Sequence, residues 1–154
     1  MRALPTALAA LLLTALTAAV PGPAAFASDE VVIGSVGTPG MALSVDAAGG
    51  VVELRPRSGG PEQEWRVHTS DDGQYLTVTS RQAAGCLTAP SAEVLVLECI
   101  GAPSQSWVAH PRPDGSRLLE NAAHPGQCLT GRGPLEAVGV AACAPGDRSQ
   151  HWRW

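Results

Sequence analysis

The sequence predicts an all-β fold of about twelve strands in three repeats of roughly 42 residues, related by pseudo-threefold symmetry. Three of the four tryptophans follow a glutamine by two residues, at Trp65, Trp107 and Trp152. The apolar runs are short, rich in Val, Leu and Thr, and bounded by Gly, Pro, Asp or Ser, which is typical of strands. After the N-terminal segment, no stretch keeps a helical period over three turns.

Residues 1–27 are interpreted as a signal peptide. A basic start at Arg2 precedes an apolar run from Leu4 to Val20, and Ala25-Phe26-Ala27 is a small-x-small cleavage signature. A transmembrane anchor is the alternative, but the run lies at the lower edge of spanning length and a cleavage signature follows it directly. We therefore expect a secreted, extracellular protein with one domain over residues 28–154 and no membrane contact after cleavage.

The three repeats lie at about residues 29–70, 71–112 and 113–154 and match at several independent points. Leu43, Leu87 and Leu129 occupy equivalent positions. Each is followed by an apolar run that predicts a later strand, namely Val51–Leu54, Val94–Leu97 and Val138–Ala141. In addition, Asp72-Gly73 and Asp114-Gly115 follow the first two tryptophans by seven residues, and Asp-Gly between apolar runs predicts a tight hairpin turn.

A unit of about four strands cannot bury its apolar face alone, so the three units must share a core. Closing the sheet also removes unpaired strand edges. A propeller is the structural alternative, but three blades would be fewer than propellers typically have. The sequence therefore favours a threefold barrel.

The four cysteines predict two disulfides, one in each of the last two repeats. An even cysteine number in an exported chain is typical of disulfides. Cys86 and Cys128 are equivalent in the repeat, as are Cys99 and Cys143, which favours the pairs Cys86–Cys99 and Cys128–Cys143. A zinc site would need closely spaced ligand pairs, and the sequence has none, so no metal or cofactor is expected.

The charge balance argues against polyanionic partners. All ten basic residues are Arg, against fourteen Asp and Glu, which gives a formal net charge of −4 for the full chain. An acidic exported protein is a poor candidate for binding nucleic acid or anionic lipid.

The chain resembles a ricin-type β-trefoil lectin domain, similar to the ricin B chain. The resemblance rests on the three Gln-x-Trp marks, on Gly-Cys-Leu-Thr at 85–88 and Gln-Cys-Leu-Thr at 127–130, and on the two later cysteines, and it covers about residues 29–154. It implies a β-trefoil fold and glycan binding.

The Gln-x-Trp residues are interpreted as structural core. A tryptophan buries a large area and needs a partner for its indole N–H, and a glutamine two residues earlier on an extended chain points to the same face. The resemblance implies the same role. These residues are Gln63, Trp65, Gln105, Trp107, Gln150 and Trp152.

The residues with which such lectins hold sugar are replaced throughout. In sugar-binding relatives, the resemblance implies an Asp two residues after the first Cys, an aromatic residue two before the second Cys, and an Asn before the Gln. The Asp positions here hold Ser44, Thr88 and Thr130, the aromatic positions hold Leu54, Leu97 and Ala141, and the Asn positions hold Glu62, Ser104 and Ser149. In repeat 1, Ala42 replaces the first Cys and Pro56 stands where the second is expected.

Hydroxyl groups are therefore the main candidates for binding sugar, together with Asp46, a carboxylate close to Ser44 that more often would be a solvated turn residue. Apart from the three core tryptophans, only Tyr75 and Trp154 remain to stack on a ligand in the mature chain. The predicted carbohydrate-binding residues are Ser44, Asp46, Thr88, Ser104, Thr130 and Ser149. Replacing Thr88 or Thr130 by Ala is expected to weaken glycan binding with little change in melting temperature.

Catalysis is not expected. The four histidines, at 68, 110, 124 and 151, form no metal-ligand pattern, and Asp71-Asp72 lies in a predicted turn. There is no G-x-S-x-G elbow and no free thiol after pairing. The sequence therefore predicts a secreted, non-enzymatic carbohydrate-binding module with weak or degenerate sugar sites for a glycan or polysaccharide. The alternative is a degenerate trefoil scaffold used for protein binding or inhibition.

Overall fold

The computed structural model describes residues 30–154, so the predicted signal peptide lies outside the described residues. This part of the chain is all-β, with twelve strands, three short 3-10 helices and no α-helix, as predicted. The strands are β1 Gly34–Ser35, β2 Met41–Ser44, β3 Glu53–Pro56, β4 Trp65–Thr69, β5 Leu76–Ser80, β6 Cys86–Thr88, β7 Leu95–Leu97, β8 Trp107–Pro111, β9 Arg117–Asn121, β10 Gln127–Thr130, β11 Gly139–Ala142 and β12 Trp152–Arg153. The 3-10 helices are η1 Pro61–Gln63, η2 Pro103–Gln105 and η3 Arg148–Gln150.

Six strands close into a barrel. Strand β4 pairs with β5, β5 with β8, β8 with β9, β9 with β12, and β12 with β1. A bridge between Val31, just before β1, and Trp65 on β4 closes the ring. Every barrel strand therefore has neighbours on both sides, which removes the edges that an open sheet would expose.

The other six strands form three hairpins, β2–β3, β6–β7 and β10–β11, that pack against one another at one end of the barrel. Single bridges join them pairwise: Val51 to Leu95, Glu53 to Ala137, and Glu93 to Gly139. Each repeat thus contributes four strands, and the three-hairpin cap on a six-stranded barrel is the predicted β-trefoil.

One shared core lies inside the barrel and under the hairpin cap. Leu43, Leu87 and Leu129, the equivalent leucines of the three repeats, are all fully buried, as are the three tryptophans of Gln-x-Trp. Each repeat supplies one leucine and one tryptophan to this core. No repeat therefore contains a complete core of its own, which explains why three units are needed.

Two disulfides tie the first strand of a hairpin to the chain after the second. They join Cys86 to Cys99, with a Cα–Cα distance of 5.1 Å, and Cys128 to Cys143, with 4.9 Å. This is the pairing that the repeat favours, and it leaves no free cysteine in the described residues.

Candidate functional site

The three tryptophans form a buried belt with the same hydrogen bond in each repeat. The indole N–H of Trp65 donates to the Leu43 carbonyl at 3.0 Å, Trp107 to Leu87 at 3.0 Å, and Trp152 to Leu129 at 2.9 Å. Because all three rings are fully buried, none can stack on a ligand.

The glutamine of each motif holds the turn that follows the second strand of its hairpin. In repeat 2, the Gln105 side-chain oxygen accepts from the backbone N–H groups of Ile100 and Gly101, at 2.9 and 3.1 Å. Its amide nitrogen donates to the Glu98 carbonyl at 2.6 Å. Gln63 and Gln150 make the corresponding bonds in the other repeats. These buried amides satisfy backbone groups of the turn and contribute to the fold.

The hydroxyls of Thr88 and Thr130, which were predicted to bind sugar, take part in this internal network. The Thr88 hydroxyl donates to the Cys86 carbonyl at 2.7 Å and accepts from the Gln105 amide at 3.2 Å. Thr130 does the same with Cys128 and Gln150, at 2.7 and 3.1 Å. Thr88 is only 3% exposed, and Thr130 is half-buried. A hydroxyl has one hydrogen to donate, and in both threonines a backbone carbonyl of the protein already accepts it. Both hydroxyls are therefore directed toward the protein interior.

Ser104 and Ser149 lie next to these threonines, and their backbone carbonyls accept hydrogen bonds within the protein. The Ser104 carbonyl accepts from Ala89, and the Ser149 carbonyl from Gly131, each at 2.9 Å. The hydroxyl and backbone N–H of Ser149 hold the pKa of Asp147 below its ordinary value by hydrogen bonding to that carboxylate. The six predicted residues are thus distributed over the three repeats and do not form one site.

Strand pairing corrects the alignment of repeat 1 by one residue. The Gln63 amide donates to the Pro56 carbonyl at 2.8 Å, just as Gln105 donates to Glu98, the residue before Cys99. Pro56 therefore corresponds to Glu98, and Arg57 takes the position of the missing half-cystine. The aromatic position falls on Arg55 and not on Leu54, which is fully buried. The hairpin loops differ in length between repeats, so counting along the chain could not fix this register.

The hairpin of repeat 1 places several charged side chains around a cavity. The cavity has a volume of about 210 Å³, and its lining includes Ser44, Asp46, Val51, Glu53 and Arg55. Glu53 lies opposite Ser44 in the β2–β3 ladder. The equivalent positions opposite Thr88 and Thr130 hold Leu95 and Gly139, which carry no polar side chain.

The polar groups of the cavity are arranged around Arg55. Its guanidinium lies 2.7 Å from the Glu53 carboxylate and 3.9 Å from that of Asp46. The Asp46 side chain is 76% exposed and that of Glu53 is 31% exposed, so both carboxylates keep unused acceptor positions toward solvent. The buried Ser44 hydroxyl has no hydrogen-bond partner among the described residues. The arrangement offers acceptors, a guanidinium donor and one unsatisfied hydroxyl in a small space.

Sequence reasoning identified Ser44 and Asp46 of this cavity and missed Glu53 and Arg55. The signal that could have found them was the strand alternation of β3, where Glu53 and Arg55 are separated by a buried Leu54. Their position next to Asp46 depends on the register of β2 with β3. Repeat 1 has no cysteine pair from which this register could be aligned with the other repeats.

The remaining aromatic residues do not line this cavity. Tyr75 is 39% exposed and borders a separate cavity with Gly101 and Pro103. The Trp154 ring is covered by the Arg117 guanidinium, 4.3 Å from its centroid. Neither ring is placed to stack on a sugar held by Asp46 and Glu53.

Three of the four histidines make hydrogen bonds within the described chain. His110 bonds the Glu120 carboxylate at 2.7 Å, while His124 and His151 bond the carbonyls of Ala89 and Pro145 at 3.0 Å. Within residues 30–154, no group of three or more His, Cys, Asp or Glu side chains is arranged to hold a metal ion. No helix in the same range is long and apolar enough to cross a membrane.

Several solved structures share this architecture. A designed threefold-symmetric protein, ThreeFoil, has a TM-score of 0.70 at 24% identity, and the match covers 79% of this chain and 94% of that one. An agglutinin from Rhizoctonia solani has a TM-score of 0.66 at 18% identity, with coverage of 86% and 97%. A mosquitocidal holotoxin has a TM-score of 0.75 at 16% identity, with 82% of this chain matching 17% of the toxin. At these identities, the likeness concerns the fold.

The sequence-level comparison is more specific. No curated protein sequence matches the chain. The sequence pattern of the family described as "Ricin-type beta-trefoil lectin domain" matches residues 30–152, which is most of the chain and nearly all of the part that the structure describes. Together with the three-hairpin cap, the six-stranded barrel and the Gln-x-Trp belt, this match shows that the chain belongs to the ricin-type β-trefoil lectin domain family.

Proposed function

We propose that this protein is a secreted, non-enzymatic carbohydrate-binding module whose working site is the repeat-1 cavity. The observation that carries the proposal is the convergence of Asp46, Glu53 and Arg55 on one small cavity, beside a Ser44 hydroxyl without a protein partner. Family membership supports glycan binding, and the two disulfides are consistent with secretion.

The chemistry of the cavity fits a neutral sugar. Sugar hydroxyls can donate to the carboxylates of Asp46 and Glu53 and accept from Arg55. Val51, 41% exposed at the cavity wall, offers an apolar contact for a sugar C–H face. Two carboxylates against one guanidinium leave the cavity with an excess of negative charge, which disfavours an anionic sugar.

Binding at this single site is expected to be weak. Arg55 occupies the position where sugar-binding relatives carry a stacking aromatic residue, and much of the contact area of such a ring is therefore missing. Useful strength would come from avidity, with several protein copies engaging a polymeric glycan.

A multivalent glycan array tests the proposal on the protein with both disulfides intact. Asp46→Asn and Glu53→Gln are each expected to lower binding by about tenfold or more, because each removes a charge-assisted hydrogen bond of roughly 1.5–3 kcal/mol. Glu93→Gln is the matched control, because Glu93 is an exposed carboxylate in the equivalent hairpin region of repeat 2. Its binding should stay within about twofold of the parent.

Two results would overturn the assignment. If Glu93→Gln loses as much binding as Asp46→Asn, the effect reflects general surface charge and not the cavity. If no glycan is bound at any density, the carbohydrate proposal is wrong. That second result would favour the alternative function, a trefoil scaffold that binds or inhibits a protein.

A further inference from the structure

Three arginines converge on a second cavity, on the barrel side of repeat 1. Arg57 follows β3, Arg148 lies in η3, and Arg153 lies in β12, so each comes from a different element. Their side chains line a cavity of about 260 Å³ whose wall includes Gly34 and Ser35 of β1. The chain has ten arginines in all and is acidic overall, so this concentration of positive charge is a local feature.

Most of this charge has no partner within the protein. Arg153 donates to the Asp114 carbonyl at 2.9 Å and lies 3.7 Å from the Asp114 carboxylate. Arg57 and Arg148 make no ion pair with any described residue, and no carboxylate lines the cavity. Guanidinium groups that share one cavity repel each other, so the arrangement is favoured when an anion lies between them.

The pseudo-symmetry provides an internal comparison. Arg153 on β12 pairs with Gly34 on the neighbouring strand β1. At the equivalent place one repeat away, Arg66 on β4 pairs with Thr79 on β5. Arg66 and Arg81 line that cavity, but Glu30 lies 3.0 Å from Arg66 and 2.9 Å from Arg81, and Glu64 also pairs with Arg81. Glutamate side chains thus neutralise the arginines of the equivalent cavity, whereas Arg57 and Arg148 have no carboxylate partner among the described residues.

This second cavity lies where repeat 1 lacks a disulfide. Arg57 stands where repeats 2 and 3 have Cys99 and Cys143, and its guanidinium lies directly over Gly34. A side chain at position 34 would overlap it. The equivalent positions hold Thr79 and Glu120, so glycine and arginine occur together only in the repeat that lacks the bridge.

We propose that the cavity of Arg57, Arg148 and Arg153 binds a tetrahedral oxyanion, the sulfate or phosphate group of a substituted sugar. Guanidinium groups bind oxyanions with paired, charge-assisted hydrogen bonds. The cavity is smaller than the roughly 300–1,000 Å³ of typical small-molecule pockets. Its size therefore suits one sulfate or phosphate group together with part of the sugar ring that carries it. The net negative charge of the chain favours a singly substituted sugar over a long polyanion.

Titration followed by amide NMR tests this proposal with four probes: sodium sulfate, sodium phosphate, galactose 6-sulfate and unsubstituted galactose. The sulfated sugar is expected to shift the backbone amides of Gly34, Ser35, Arg57 and Arg148, at least as tightly as free sulfate does. Galactose should leave these amides unchanged. Raising the ionic strength should weaken the binding, because the cavity is open to solvent.

Arg57→Gln and Arg148→Gln should each weaken binding of galactose 6-sulfate about tenfold. Arg132→Gln is the control, because Arg132 is exposed and lies outside this cavity. An unchanged spectrum away from the substitution shows that each variant is folded. Glucose 6-phosphate replaces the sulfate ester in a second series and identifies which oxyanion is preferred.

The proposal is overturned if Arg57→Gln binds as tightly as the parent, or if the shifts spread over all arginines alike. It is also overturned if the inorganic ions bind and the sugar esters do not, which would indicate an adventitious ion only. Neutral galactose serves only as the negative control, and the readout is confined to the amides around Arg57 and Arg148, so the test is independent of the function proposed for the repeat-1 cavity.

Discussion

The hydroxyl of Thr88 lies inside the protein and has two partners there, the Cys86 carbonyl and the Gln105 amide. From sequence, Thr88 was a candidate sugar ligand, because it occupies the position of an Asp in related lectins. A shorter hydroxyl side chain at that position reaches back to its own strand and to the motif glutamine. The structure thus shows internal hydrogen bonds for this hydroxyl, and we propose that its role is structural.

Thr88→Val tests this role. The substitution keeps the volume but removes the donor to Cys86 and the acceptor for Gln105, so we expect the free energy of unfolding to fall by about 1–3 kcal/mol. Glycan binding should be unchanged. Urea denaturation and the glycan array provide the two measurements.

Thr69→Val serves as the control, since Thr69 is exposed on β4 and its replacement should cost less than about 0.5 kcal/mol. A Thr88→Val protein that keeps its stability but loses glycan binding would show instead that the hydroxyl reaches the ligand.

At the scale of the element, the β2–β3 hairpin differs from its two equivalents. The β6–β7 and β10–β11 hairpins each carry a disulfide, whereas β2–β3 has Ala42 and Arg57 at those positions. Both proposed sites lie next to this hairpin. The two hairpins with bridges have instead apolar or small residues at the positions of Glu53 and Arg55.

A third disulfide should form in the double variant Ala42→Cys/Arg57→Cys. The two positions are 15 residues apart, the same separation as Cys128 and Cys143, and Ala42 is fully buried as Cys128 is. Closing this loop should stabilise the fold by up to about 3 kcal/mol in the loop-entropy model. Mass spectrometry without reduction and thermal unfolding would detect the bridge and its effect.

The single variant Ala42→Cys is the control, because it has one thiol and no partner. Two free thiols in the double variant, with no gain in melting temperature, would contradict the assignment of Arg57 to the half-cystine position. The double variant should also lose the oxyanion site, since it lacks Arg57.

At the scale of the whole molecule, carboxylates hold turns and strands together around the barrel. The Gly126 backbone N–H and the His110 imidazole hold the pKa of Glu120 below its ordinary value by hydrogen bonding to the carboxylate. Ser70, Ser116 and Ser149 lower the pKa values of Asp72, Asp114 and Asp147 in the same way, in three separate turns. The ionised forms of these groups are therefore the ones that the fold stabilises.

This distribution predicts that stability falls in acid. A carboxylate whose pKa is lower in the folded than in the unfolded chain stabilises the fold above its ordinary pKa, and the contribution is lost as pH falls through the lower folded value. For Glu120, the loss begins near its ordinary value of 4.5. Denaturant unfolding measured from pH 7 down to pH 3 should show a decreasing free energy below that point.

Glu120→Gln should flatten part of this decrease and lower stability at pH 7 by less than about 1 kcal/mol, because the group is partly exposed. Glu93→Gln, which removes an exposed carboxylate from the hairpin region of repeat 2, should leave the pH profile unchanged. An identical acid profile for Glu120→Gln and the parent would show that Glu120 does not contribute.

The repeat, the strand content, the disulfide pairs and the candidate core follow from the sequence alone. These features depend on local patterns that occur three times, so each copy supports the interpretation of the others. Gln63, Gln105 and Gln150 are buried as predicted, although each ends a 3-10 helix and does not lie on the extended chain that the sequence suggested.

Which polar groups bond within the protein and which line a cavity depends on the tertiary structure. Thr88 and Thr130 turn inward because a buried glutamine amide lies within reach, and that amide is distant along the chain. Arg55 and Arg57 acquire their positions from the register of β2 with β3, and Arg57 meets Arg148 and Arg153 only when β12 closes the barrel against β1. A local pattern specifies the strands, but the juxtaposition of charges depends on contacts between residues far apart in sequence.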